Sequence, residues 1–137
     1  MRGSRPGVQA AIGYAVGQRG EVLAYARLTG LGVRQLLRFT LRVAASPLRE
    51  RASAYAALTA VARAVRERGF ASARFIMNDP QFVEEVTRGS GLADTLVLPY
   101  VRLRCVLNAL SSFSLRRGAT DDLTQRARAE VALNVAA

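Results

Sequence analysis

Polar and apolar residues alternate along three stretches in the first third of the chain. Over 9–17, Ala10, Ile12, Tyr14 and Val16 fall on one side and the small Ala11, Gly13, Ala15 and Gly17 on the other. This pattern predicts a strand with one smooth face, suited to a close-packed helix. Arg19-Gly20 reads as a hairpin turn into a second strand over 21–29. Over 34–44, Leu37, Phe39, Leu41 and Val43 oppose Leu36, Arg38, Thr40 and Arg42, so a third strand presents one apolar and one Arg-bearing face.

After Ser46-Pro47 the period changes. Leu48, Tyr55, Leu58, Val61, Ala62 and Val65 recur at three and four residues, which predicts a helix capped by Ser46, with Pro47 in its first turn, ending at Gly69. A short strand follows over 72–77 and ends at Asn78-Asp79, and Pro80 opens a helix whose apolar side carries Phe82, Val83 and Val86. Beyond a loop over 88–94, Leu96, Tyr100, Leu103, Leu107 and Leu110 mark a longer helix from about Thr95, with Cys105 read as a packing residue. A last strand over Ser112–Leu115 and a helix over Thr120–Asn134 complete the order β-β-β-α-β-α-α-β-α. Tyr55 and Tyr100 fall on apolar stripes, as core residues do, and Arg63, Arg66 and Arg68 fall where a solvated helix face is expected.

Composition narrows the chemistry. The chain has 137 residues, no His and one Cys, which removes Ser/His/Asp and Cys/His catalysis, zinc ribbons and an internal disulfide. With half its residues hydrophobic, a chain this long builds its own core, and one domain over 1–137 is expected. Twenty basic residues against ten acidic leave a net charge of +10. Every basic residue is Arg, as a G+C-rich genome would produce; whatever its origin, the planar guanidinium fork grips phosphate in pairs of hydrogen bonds. Nucleic acid or an anionic membrane is therefore favoured over a neutral metabolite, with nucleic acid the expected partner. Arg38, Arg42, Arg102 and Arg104 interrupt the apolar runs, so no membrane span is expected. The N-terminus has no contiguous apolar stretch, and a cytoplasmic location is the expectation.

Three motifs in order resemble the ribonuclease H-like superfamily, in particular its small bacterial and archaeal RNase HI-type domains. They are Ser53-Ala54-Tyr55-Ala56-Ala57-Leu58 on the long helix, Asp79-Pro80-Gln81-Phe82-Val83 after the fourth strand, and Thr120-Asp121-Asp122-Leu123-Thr124-Gln125-Arg126-Ala127 opening the last helix. The resemblance covers nearly the whole chain. It implies an α/β fold with a mixed five-stranded sheet, an antiparallel three-strand half and helices on both faces. Active members hold two magnesium or manganese ions on four carboxylates, which activate water against a phosphodiester. Carried over, Asp79 and Asp121 match two of those metal-binding catalytic acids. Ala54 stands where the helix acid is expected, and no Asp precedes position 79. Glu50 lies on the same helix face about 6 Å earlier, a displaced third ligand at best.

Two registers of the first strand remain open. With residues 7–17 as the first strand, its acid position falls near Tyr14–Gly17. With Gly13–Val16 as the second, the sheet would lack its central strand and leave backbone unpaired. The acids also have structural uses: Asp79 before Pro80 suits an N-cap, and Asp121 and Asp122 suit the positive end of a helix. Arg34, Arg38 and Arg42 either track a phosphate backbone or guard a sheet edge, and Arg116 and Arg117 are a further candidate phosphate contact. Three functions are compatible with these residues. They are an RNase H-like domain that binds DNA, RNA or RNA/DNA hybrid without a cofactor and without the two-metal site; an active ribonuclease H on a reduced metal site; and an interaction module or homodimer formed through Leu36 or the leucines of helix 95–110.

Overall fold

The structure, a computed structural model, describes residues 7–30 and 32–136; Arg2 and Arg5 of the basic N-terminus lie outside them. Strands β1 (Val8–Val16), β2 (Glu21–Gly30) and β3 (Val33–Arg42) are followed by α1 (Arg49–Glu67) and β4 (Ser72–Met77). Helices α2 (Pro80–Arg88) and α3 (Asp94–Asn108), strand β5 (Ser112–Arg117) and helix α4 (Asp121–Ala136) complete the order. This is the element order expected from the periodicities.

The strands form one sheet in the order β3-β2-β1-β4-β5. β1 pairs antiparallel with β2, and β2 with β3; β1 pairs parallel with β4, and β4 with β5. Residues 8–16 thus occupy the centre of the sheet, which settles the register in favour of the first strand. Parallel pairs need long crossovers, and α1 supplies the one between β1's half of the sheet and β4.

The pleat divides the side chains between two cores. Val8, Ala10 and Ile12 of β1 join Phe75 and Met77 of β4, Tyr55, Leu58 and Val61 of α1, Phe82 of α2 and Leu103 and Leu107 of α3. On the opposite face Ala15, Leu23 and Tyr25 meet Leu123, Ala127 and Val131 of α4. The smooth side of β1 does what its pattern predicts. A Cβ on Gly13 would lie 2.4 Å from the Thr124 nitrogen and 2.6 Å from the Leu123 carbonyl carbon, so only a bare backbone lets α4 settle against the central strand. Gly20, at φ +86° in the hairpin, likewise leaves no room for a side chain beside the Val43 carbonyl.

Three local expectations are corrected. Ser46 does not cap α1: its Oγ accepts from the Leu48 N–H at 3.1 Å, and the Arg49 N–H bonds the Ser46 carbonyl at 3.2 Å, so a tight turn precedes the helix. Cys105 is exposed, because it falls on the outer side of α3 rather than on the Leu103–Leu107 seam. β5 runs two residues further than expected, so Arg116 and Arg117 are strand residues instead of turn residues. Helix α3 begins at Asp94 and carries Pro99 inside it. Tyr55 is buried and stacks edge-on against Phe82 and Tyr100, as the apolar stripe requires. No helix among the described residues is long and apolar enough to cross a membrane.

The tight seat of α4 yields a stability prediction. Gly13→Ala should lower the unfolding free energy by about 1–3 kcal/mol, the usual cost of overpacking, because the obstructing atoms include helix backbone. Urea denaturation followed by circular dichroism measures it, and an unchanged midpoint would contradict the packing described.

Candidate functional site

The register of β1 on β4 pairs Ile12 with Met77. Two residues further on, Tyr14 and Asp79 therefore arrive side by side on the same face at the C-terminal ends of their strands. The Tyr14 hydroxyl donates to Asp79 Oδ2 at 3.0 Å. The other carboxylate oxygen accepts the Phe82 N–H at 3.3 Å and caps α2, the structural use that Asp79-Pro80 suggests. Burial, and next the Asp79 charge, push the Tyr14 phenol well above the usual tyrosine range, so Tyr14 remains a proton donor to Asp79.

Around this pair lies a cleft of about 270 Å³ lined by Tyr14, Val16, Glu50, Asn78, Asp79, Thr124 and Arg128 among others. Glu50 reaches it from the first turn of α1, one turn before the buried Ala54. Asp121 is held nearby, where its Oδ1 accepts from the Asn78 amide at 2.7 Å. Asp79, Asp121 and Glu50 thus belong to one edge of the sheet. They do not make a metal cage: among the described residues no three Asp, Glu or Cys side chains gather closely enough to hold an ion. Both Asp79 oxygens already accept protein hydrogen bonds, and a guanidinium, Arg128, shares the cleft. This donor set does not fit two magnesium ions, each of which demands near-octahedral oxygen ligation.

The candidate arginines fall in different places. Arg34, Arg38 and Arg42 share one face of the edge strand β3, yet eight residues of strand put Arg34 about 26 Å from Arg42. Arg38 is committed to α4. Its Nε donates to both Glu130 oxygens at 3.1 and 2.9 Å, its Nη2 joins them, and Tyr25 donates to the same carboxylate. Arg42 Nη1 donates to the Arg19 carbonyl at 3.1 Å at the end of β3. Arg116 and Arg117 pair in register with Ile76 and Met77, so they are exposed at the end of β5, Arg117 on the sheet face that Tyr14 and Asp79 share and Arg116 on the opposite one. Among the described residues, neither they nor Arg128 has an ion-pair partner.

Three solved structures share this architecture. RNase H1 from the halophilic archaeon Halobacterium salinarum superposes with a TM-score of 0.72 at 18% identity, covering 90% of this chain and 98% of its own. The chain has the ribonuclease H fold. The N-terminal RNase H domain of Rv2228c from Mycobacterium tuberculosis gives 0.69 at 15% identity, covering 93% and 99%. LC11-RNase H1, isolated from compost by a metagenomic approach and solved in complex with an RNA/DNA hybrid, gives 0.60 at 8% identity, covering 86% and 89%. No protein-family model matches the sequence, and no curated protein matches it either.

Within this RNase H fold, the structure brings Asp79, Asp121 and Glu50 to one edge of the sheet, while the contacts of Tyr14 and Asn78 and the position of Arg128 are not among the expectations from the sequence. The signal for Tyr14 was available. A parallel β1–β4 pair brings Tyr14 level with Asp79, and no acid competes for that place. Asn78 and Arg128 carried no signal, since the partner of Asn78, Asp121, and Arg128 itself both lie on α4, which only tertiary packing brings to the edge.

The Arg38–Glu130–Tyr25 contact makes a pH prediction. Hydrogen bonds from Arg38, then from Tyr25, hold the Glu130 carboxyl at about 2, down from its ordinary 4.5. A depressed folded-state value means that the stabilisation is fully present above pH ~4.5 and is lost as pH falls toward ~2. Glu130→Gln should therefore flatten the acid limb of a stability-versus-pH curve without altering its shape above pH ~5. An acid limb identical to that of the unaltered protein would show that the contact is not maintained in solution.

Proposed function

We propose that this RNase H-like domain binds nucleic acid through Arg–phosphate contacts and is a pseudoenzyme that has lost the two-metal carboxylate site. The observation that carries the reading is the pairing of Tyr14 with Asp79 at an edge rich in guanidinium. Where the resembled enzymes need a ligand carboxylate, a phenol stands and uses one oxygen of the remaining acid. Arg116, Arg117 and Arg128 supply cations that no carboxylate neutralises among the described residues. A phosphate here needs no metal to offset its charge, because the fixed guanidiniums do so. The complex of LC11-RNase H1 with an RNA/DNA hybrid makes the hybrid the natural first ligand to try.

Binding of a labelled RNA/DNA hybrid, followed by fluorescence anisotropy across a salt series, is expected to weaken steeply with salt. The double variant Arg116→Ala/Arg117→Ala should reduce the log–log salt slope by about 1 per phosphate contact removed. An absence of binding even at about 50 mM salt, where such contacts are strong, would sink the reading.

An active nuclease is the second reading, favoured by the gathering of Asp79, Glu50 and Asp121 at one edge. Incubation of the hybrid with magnesium or manganese decides between them. The expected result is no cleavage above background with either metal, whereas turnover that disappears in Asp79→Asn would establish the enzyme.

A further inference from the structure

On the other flank of α1, away from the cleft, a groove of about 440 Å³ runs between α1, α3 and the end of β3. Its floor is apolar, made by Leu41, Val43, Ala52, Ala56, Ala60 and Pro99. Its free charged groups are Arg63 and Arg102; Arg42, which also borders it, donates to the Arg19 carbonyl, and neither Asp nor Glu lines it. Among the described residues, Arg63 and Arg102 have no ion-pair partner. The apolar surface continues along α3: Leu98 and Val101 are 56% and 46% exposed, and with Val97 they are three of the six large apolar side chains left exposed among the described residues. A helix that is apolar on its core side and again on its outer side is one whose outer side is covered in use.

We infer that this groove docks an acidic, amphipathic segment of a partner protein, its apolar side on the Ala56–Ala60–Pro99 floor and its carboxylates against Arg63 and Arg102. Charge and floor together select this occupant. A second copy of the chain would bring another +10 against an already cationic rim. A nucleic-acid strand would satisfy the guanidiniums but lay ribose on alkyl side chains, with the Thr59 hydroxyl and the Tyr55 phenol, the latter already donating to Glu85, as the further polar groups there. A peptide with leucines on one side and glutamates on the other meets both surfaces, in the helix-in-groove manner. The inference does not depend on nucleic-acid binding at the cleft edge.

The test uses the full chain and a synthetic helical peptide of about 14 residues, four turns, with Leu on one face and Glu flanking it, beside a counterpart with Lys in place of Glu. The Glu peptide should shift the backbone amide NMR signals of Ala56, Ala60 and Val101. Its affinity, read by anisotropy, should fall at least about tenfold in Arg63→Glu/Arg102→Glu, while that variant keeps its circular dichroism spectrum and the Lys peptide fails to bind. Equal binding of both peptides, unchanged affinity in the variant, or no shifts at these amides would overturn the inference. So would the same amides moving with a single-stranded oligonucleotide, which assigns the groove to nucleic acid, or a dimer in light scattering that the variant abolishes, which assigns it to a second copy. Hybrid binding measured on the same variant, with Arg116 and Arg117 intact, keeps failure here separate from failure of the nucleic-acid reading.

Discussion

Because β1 and β4 run parallel at the centre of the sheet, their C-terminal ends open on the same edge, and the groups with chemical potential are collected there. The pairing of Ile12 with Met77 brings Tyr14 to Asp79. Asn78, the next residue of the same strand end, reaches Asp121 at the start of α4. The continuation of the ladder into β5 sets Arg116 and Arg117 at the same level. A shift of β1 by one residue would turn Tyr14 to the α4 face and send Gly13 to the other. The phenol–carboxylate bond and the close seat of α4 would be lost together. The site and the second core thus share one register.

The surplus positive charge divides by packing rather than by sequence position. Arg38 and Arg27 tie β3 and β2 to α4 through Glu130 and Asp122. Arg51, half-buried, joins Glu85 at 2.7 Å while the buried Tyr55 hydroxyl donates to the other oxygen of that carboxylate at 2.5 Å, fastening α1 to α2. A partly buried carboxylate with two donors is worth more than an exposed pair, so Arg38 and Arg51 are structural, whereas the exposed Arg27–Asp122 pair contributes little. Arg126 rests over the Tyr25 ring and Arg104 over Phe113, where their planar groups cover apolar surface. Of the remaining arginines, Arg116, Arg117 and Arg128 stand at the strand-end edge and Arg63 and Arg102 along the α1–α3 groove. The two places differ in their floors, one polar and acidic, the other apolar.

The element order was legible because each element carries its own period. Strict alternation in 34–44 and the three-and-four spacing of α1 and α3 are local patterns that tertiary contacts only reinforced. Ends were less legible, and for local reasons: the Ser46 hydroxyl found the Leu48 amide before a helix could use it, and β5 continued through Arg116 and Arg117 because β4 beside it still offered partners. The outward Cys105 was misread since one residue beside an apolar seam can fall on either side of it. Of the candidate site, the acids were named through resemblance alone, whereas the use of Asp79 as an acceptor for Tyr14 depends on two residues 65 positions apart in the chain.

By itself, the sequence determined the order and type of the elements, the smooth face of β1, the absence of His chemistry, the shortage of carboxylates and the excess of arginine. These are properties of composition and of period along one segment, and they need no knowledge of what lies opposite. Tertiary structure alone decided that residues 8–16 stand at the centre of the sheet, that Tyr14 bonds Asp79, that Arg38 is spent on Glu130 while Arg116, Arg117 and Arg128 are not, and that α1 and α3 leave a cationic groove with an apolar floor. Each is a relation between distant segments, and a guanidinium has the same formula whether or not a carboxylate waits beside it in space.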